Sequence, residues 1–115
     1  MNYRRGDVIL VFFPDSNLRT AKRRPALVVQ ADQLGTGLPQ TIVAMITSNM
    51  ARAGHRSRVV VRAGQTSPNV SGLLMDSVIM TDNLVTIHDS EIDLVIGAFA
   101  GLTELDAALR ATLNL

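Results

Sequence analysis

The 115-residue chain contains no cysteine and no tryptophan, and only one tyrosine and three phenylalanines. Without cysteine there is no disulfide, no zinc–thiolate centre and no thiol nucleophile. The two histidines, His55 and His88, are too few for a histidine-rich metal site. No apolar run approaches the roughly 20 residues of a membrane helix. Arg4 and Arg5 precede an apolar stretch that stops after residues 8–13. That pattern argues against a signal peptide and for a cytoplasmic protein without a membrane partner. Nucleotide-binding glycine patterns, HExxH, GxSxG and EF-hand loops are all missing. What is present is 47% hydrophobic and 18% charged, the composition of one globular domain spanning residues 1–115.

The net charge of +1 conceals an asymmetry. Residues 1–62 hold ten basic side chains against three acids, and residues 63–115 hold Arg110 alone against seven acids. All the bases but Lys22 are arginines, whose planar fork of donors grips phosphate in pairs. A polyanion partner for the first half fits this distribution. Attraction between the two halves of the chain fits it as well.

Apolar runs bounded by turn residues predict strands at 7–13, 25–30, 41–47, 58–62, 73–81, 84–87 and 94–100. Pro14-Asp15-Ser16-Asn17 is a turn signal, and Pro25 is tolerable only at the start of a strand or on an edge. The segment 41–47 is nearly all apolar, as a strand buried on both faces requires. Gly97 marks a bend or bulge in the last strand. Thr103-Glu104-Leu105-Asp106 resembles a capping box. Leu105, Ala108, Leu109, Thr112 and Leu113 then share one helical face. Short strands with one terminal helix predict a small, strongly curved sheet or barrel closed by the helix.

The candidates for chemistry are positional. Arg24 closes a polar loop and opens a buried strand, which suits a phosphate clamp or an ion pair with a neighbouring carboxylate. Thr47-Ser48-Asn49 ends the central strand, where three hydrogen-bonding side chains line a site or simply form a turn. Asp82 and Asn83 interrupt an apolar region; Asp82 could orient Arg24, accept a proton, bind a base edge or cap a turn. His55 lies in the basic loop between Arg52 and Arg58, as a contact, a proton-transfer group or a solvated histidine.

These pieces together resemble the MazF/PemK toxin family. Arg5-Gly6-Asp7-Val8 opens the first strand, Arg24-Pro25-Ala26-Leu27-Val28-Val29 the second, and Ile42-Val43-Ala44-Met45-Ile46-Thr47-Ser48 forms the third. Gly72-Leu73-Leu74-Met75-Asp76-Ser77-Val78-Ile79, Thr81-Asp82-Asn83 and Thr86-Ile87 follow in the same order. The resemblance implies a mainly β fold, an SH3-like curved barrel with a C-terminal helix, also seen in the gyrase-poisoning CcdB toxins. It implies a homodimer with a cognate antitoxin. It also implies a ribosome-independent endoribonuclease that cuts single-stranded RNA without metal or cofactor, leaving 2′,3′-cyclic phosphate and 5′-hydroxyl ends. By the same resemblance the catalytic residues are Arg24, Thr47 and Asp82. Arg19, Lys22, Arg23, Arg52 and Arg56 would hold the RNA backbone, and Ser48, Asn49 and Asn83 would contact the RNA, the two asparagines at base edges. The alternative is a CcdB-like poison that binds a protein such as DNA gyrase. The chain departs from the family in lacking glycine between Pro14 and Arg23, and in carrying Met80, Leu84 and Val85 where some members have a basic residue.

Overall fold

The computed structural model describes residues 2–14, 21–63 and 70–115. Six strands form one antiparallel sheet: β1 (Asp7–Pro14), β2 (Ala21–Val28), β3 (Gln40–Thr47), β4 (Arg58–Val61), β5 (Ser77–His88) and β6 (Ile92–Ala98). Helix α1 (Leu102–Leu113) follows. The strands lie in the order β4-β5-β3-β2-β1-β6. No helix among the described residues is long and apolar enough to cross a membrane.

β3 occupies the middle, and Val43, Ala44, Met45 and Ile46 are all buried. Successive side chains of a strand point to opposite faces. Ala44 and Ile46 therefore enter one core with Val8, Leu27, Val59 and Leu105. Val43 and Met45 enter another with Ile9, Val11, Ala26 and Ile87. The expected double burial of this strand is observed, and the sheet curls to cover both faces. Leu105 and Ala108 seat α1 on the first core.

The sheet curls without closing into a barrel, with β4 and β6 as its edges. Residues 70–72 cross against β6 instead. The Ala98 N–H donates to the Val70 carbonyl at 2.8 Å. The approach depends on two glycines: a Cβ on Gly72, whose φ is +74°, would lie 2.1 Å from the Ile96 carbonyl oxygen, and one on Gly97 would lie 2.2 Å from that of Val70. Gly97 also marks the expected bulge, since the β1–β6 register slips between Val8↔Gly97 and Ile9↔Val95.

Several boundaries differ from expectation. The segments 73–81 and 84–87 belong to one strand, β5, which begins only at Ser77. β2 begins at Ala21, so Pro25 lies inside it, opposite Leu10. Proline is accommodated there because the β2–β3 ladder begins at Ala26, so no β3 partner is paired at Pro25. β6 ends at Ala98. Thr103 is not a helix cap: Gly101 precedes α1, and its carbonyl accepts from the Leu105 N–H. Leu113, expected on the buried face, is half exposed at the helix end. Residues 15–17 of the predicted turn lie outside the described residues, as do residues 64–69 between the strands predicted at 58–62 and 73–81.

The single β5 is possible because its interruption is a bulge. Met45 pairs with Met80 and Ala44 with Leu84, leaving Thr81, Asp82 and Asn83 outside the ladder. Thr81 is completely buried. Its Oγ1 lies 2.7 Å from the Ser57 carbonyl, 3.3 Å from the Ala108 carbonyl and 2.7 Å from Thr112 Oγ1. A hydroxyl has one proton to give; the nearer carbonyl takes it, so Thr112 donates to Thr81. This knot ties the bulge to α1 and turns Asp82 and Asn83 outward. Thr81→Val should cost about 1–3 kcal/mol, read as a lower urea midpoint with an unchanged denaturant slope.

Candidate active site

The β2–β3 ladder ends at Ala26↔Met45. Continued two residues further, that register sets Arg24 opposite Thr47, where the strands have parted. Both residues line a cavity of about 510 Å³ with Arg23, Ser48, Leu74 and Met75. Both also line a second cleft of about 410 Å³ with Phe13, Met80 and Asn83. A third, of about 400 Å³, is formed by Thr47, Asn49, Arg52, Arg58, Asp82 and Asn83. Thr47 is common to all three.

The hydrogen bonding at Thr47 gives it a direction. The Asn49 N–H donates to Thr47 Oγ1 at 3.1 Å, and the Ala51 N–H donates to Asn49 Oδ1 at 3.1 Å. These bonds cap a 3₁₀ turn, Met50–Arg52. With a lone pair of Thr47 occupied, its hydroxyl proton is left to donate. The Asn49 amide nitrogen likewise remains a donor.

The charge asymmetry resolves into two populations. Among the described residues, four ion pairs join an arginine of the first half to an aspartate of the second: Arg5–Asp106, Arg23–Asp93, Arg58–Asp82 and Arg62–Asp76. Attraction between the halves is therefore part of the fold. The side chains of Lys22, Arg24, Arg52 and Arg56 are exposed and form no ion pair or hydrogen bond with a described residue. Arg24 is thus a guanidinium with no partner among the described residues, on a strand paired with β1 at Val11 and lining two clefts.

Asp82 is held differently. Arg58 grips it with a two-pronged fork, Nε to Oδ1 at 2.7 Å and Nη2 to Oδ2 at 2.5 Å. The third prong, Nη1, donates to the Arg52 carbonyl at 2.8 Å. Hydrogen bonding from Arg58 holds the Asp82 carboxyl below the usual aspartate range, and Asp82 in turn raises Arg58. Among the described residues lining the three clefts, Asp82 is the one carboxylate.

The structure thus brings Arg23, Arg24, Thr47 and Ser48 to one cleft and Asn49, Arg52, Asp82 and Asn83 to the adjoining one. Lys22, Arg56 and His55 line none of the three. The Nδ1 of His55 is engaged by Ser57, accepting from its N–H at 3.1 Å beside its hydroxyl at 2.7 Å. Arg19 lies outside the described residues. Arg58 is the residue the sequence reading missed. It opens a strand, as Arg24 follows a polar loop into a buried one, and that shared position was the available signal. Among the described residues no cluster of three or more His, Asp or Glu could hold a metal ion.

A curled antiparallel sheet with one terminal helix, and an arginine facing a threonine at its open seam, places the molecule among the small β-toxins. The family model for PemK-like, MazF-like toxins of type II toxin–antitoxin systems matches residues 4–113, and the chain belongs to this family. It is 34% identical over 105 residues to endoribonuclease MazF6 of Mycobacterium tuberculosis, covering 89% of this chain and 88% of that protein. The solved M. tuberculosis toxin MazF-mt6 superposes with a TM-score of 0.69 at 26% identity, covering 93% of this chain and 97% of that one. A mycobacterial endoribonuclease solved with its cognate antitoxin shares the fold, with a TM-score of 0.73 at 17% identity and coverage of 99% and 97%.

A depressed carboxyl stabilises the folded state above the unfolded aspartate value of about 3.9, and that contribution is lost as pH falls through the folded value. The urea midpoint of Asp82→Asn should therefore lie furthest below wild type above about pH 5, with the gap closing as pH falls below the unfolded aspartate value. A gap independent of pH would contradict the fork.

Proposed function

We propose that this MazF-family toxin is a sequence-specific endoribonuclease, acting in the cytoplasm on single-stranded RNA and held inactive by a cognate antitoxin. The observation that carries the reading is the Arg24 guanidinium, without a partner among the described residues, facing Thr47 across parted strands. RNA supplies its own nucleophile, the 2′-hydroxyl beside the scissile phosphate. Its attack forms a bond to phosphorus and expels the 5′-oxygen, giving a 2′,3′-cyclic phosphate and a 5′-hydroxyl. Negative charge builds on the phosphoryl oxygens as the bond forms. Arg24 offers a paired donor fork to that charge, and the Thr47 hydroxyl adds a donor aimed by Asn49. Such fixed donors stabilise the transition state without reorganising.

Arg24 cannot serve as a base, because a guanidinium stays protonated at every pH at which the protein is folded. Asp82, pinned by Arg58, is a weak proton acceptor near neutral pH, so its part is that of a fixed acceptor on the substrate. Arg52 supplies charge for the RNA backbone, and Ser48, Asn49 and Asn83 supply hydrogen bonds. The names of the relatives support both the reaction and the antitoxin. The CcdB-like alternative, poisoning of a protein target, gains nothing from a free arginine set against a threonine donor.

A homodimer fits the apolar surface beside the cleft. Phe12 and Leu94 are 42% and 41% exposed on adjacent strands, and Leu74 at the cavity mouth is 99% exposed. A second copy would cover them. Leu94→Glu should shift the mass measured by sedimentation from dimer to monomer; a wild-type monomer would overturn the assignment.

Removing one fixed donor typically costs ~10²–10³ in rate. Arg24→Ala should lose cleavage of a long unstructured RNA in EDTA by that factor, with an unchanged circular dichroism spectrum. Thr47→Val should lose less than Arg24→Ala, and Thr47→Ser should retain activity. Full activity in Arg24→Ala, with 5′-hydroxyl ends, would refute the site.

A further inference from the structure

The cleft on the Asn49 side of Thr47 has two walls. One is the 3₁₀ turn, Met50–Arg52, with its cap Asn49. The other is the β5 bulge with Asp82 and Asn83. These walls belong to different parts of the chain, and Arg58 is bonded to both. Nη1 holds the Arg52 carbonyl while Nε and Nη2 hold the two Asp82 oxygens. The side chain of Arg58 is only 18% exposed, against 38% for Asp82. Its backbone is fixed by pairing with Met80. The guanidinium is thus a strut inside the cleft wall, and the carboxylate is the part offered to solvent.

We infer that Arg58 is a positioning residue for RNA selection: it sets the spacing of the two walls and holds Asp82 as an acceptor for an N–H group of the nucleobase beside the scissile phosphate. The inference rests on the nuclease reading above and deepens it. A carboxylate offers about four lone-pair sites. The Arg58 fork uses one on each oxygen and leaves the outer ones available. Asn49 has its oxygen bonded to the Ala51 N–H, which orients its amide nitrogen as a donor. The cleft therefore sets a fixed acceptor on one wall and a fixed donor on the other. A base edge is read by such a pattern. Loss of the fork lets Asp82 swing, so discrimination suffers more than the chemical step.

The test compares wild type with Arg58→Gln, Arg58→Lys, Asp82→Asn and the Arg58→Gln/Asp82→Asn double variant on a long unstructured RNA in EDTA. Fragment ends are mapped, and KM and kcat are measured on an oligonucleotide containing the preferred site. In Asp82→Asn the acceptor becomes an amide that also donates, so discrimination should relax by about 10-fold or more at one position of the cleaved sequence. Arg58→Gln should relax the same position, with the loss falling on KM more than on kcat. Arg58→Lys should recover part of the selectivity. The double variant should be no worse than the more impaired single, because both act on one interaction. A purely structural Arg58 would lower cleavage equally at all sequences and leave the profile unchanged; that result would overturn the inference while leaving the nuclease reading intact. Relaxation at different positions in Arg58→Gln and Asp82→Asn would also overturn it. Intact RNA with folded wild-type protein would overturn the nuclease reading, and the role of Arg58 with it.

Discussion

Burial of β3 on both faces is the constraint from which the site follows. A strand with no solvent-facing side can place few polar side chains along its length, and its backbone donors and acceptors need partners on both sides. β2 and β5 supply them, but each ladder has an irregular end or interruption. On the β2 side, pairing stops at Ala26, before Pro25, and the strands part to expose Arg24 and Thr47. On the β5 side, three residues leave the ladder after Met80. The candidate site residues gather at these two departures from regular pairing, because there polar side chains reach solvent at fixed positions beside an apolar core.

The charges divide along the same lines. The ion pairs fasten segments far apart in sequence: Arg5 reaches Asp106 on α1, and Arg23 reaches Asp93 on β6. Such pairs at a surface add little stability individually. They leave Lys22, Arg24, Arg52 and Arg56 without a carboxylate partner among the described residues, and of these Arg24 is the one set opposite Thr47. A guanidinium with no internal partner keeps its full attraction for phosphate. One already forked to a carboxylate, as Arg58 is, acts through that partner instead. Two arginines of adjoining clefts thus differ in what they can bind, decided by whether a carboxylate stands within reach.

Family membership and geometry support each other at the point of chemistry. An RNA that attacks its own phosphate asks the protein for stabilisation of charge more than for a nucleophile. The proposed roles of the Arg24 fork and the Thr47 hydroxyl answer that demand, and the three clefts contain no carboxylate other than Asp82 among the described residues. The closing helix contributes at a distance. It buries Leu105 and Ala108, and it brings Thr112 to the Thr81 hydroxyl, which secures the bulge that presents Asp82 and Asn83.

The sequence by itself determined the apolar strands, the doubly buried central strand, the bulge at Gly97 and the terminal helix, because each depends on local pattern and on side-chain hydrophobicity. Arg24, Thr47 and Asp82 were legible as polar residues at strand ends, and their order resembled a known family. Tertiary structure alone decided that two predicted strands are one bulged strand, since the bulge is held by Ser57, Ala108 and Thr112 from elsewhere in the chain. It alone decided which bases are free. Charge composition cannot separate an arginine awaiting phosphate from one already paired, and Arg58 meets Asp82, 24 positions further along the chain, only once β4 and β5 pair. Local chemistry is written along the chain; ion pairing and cleft geometry depend on which distant segments the fold sets side by side.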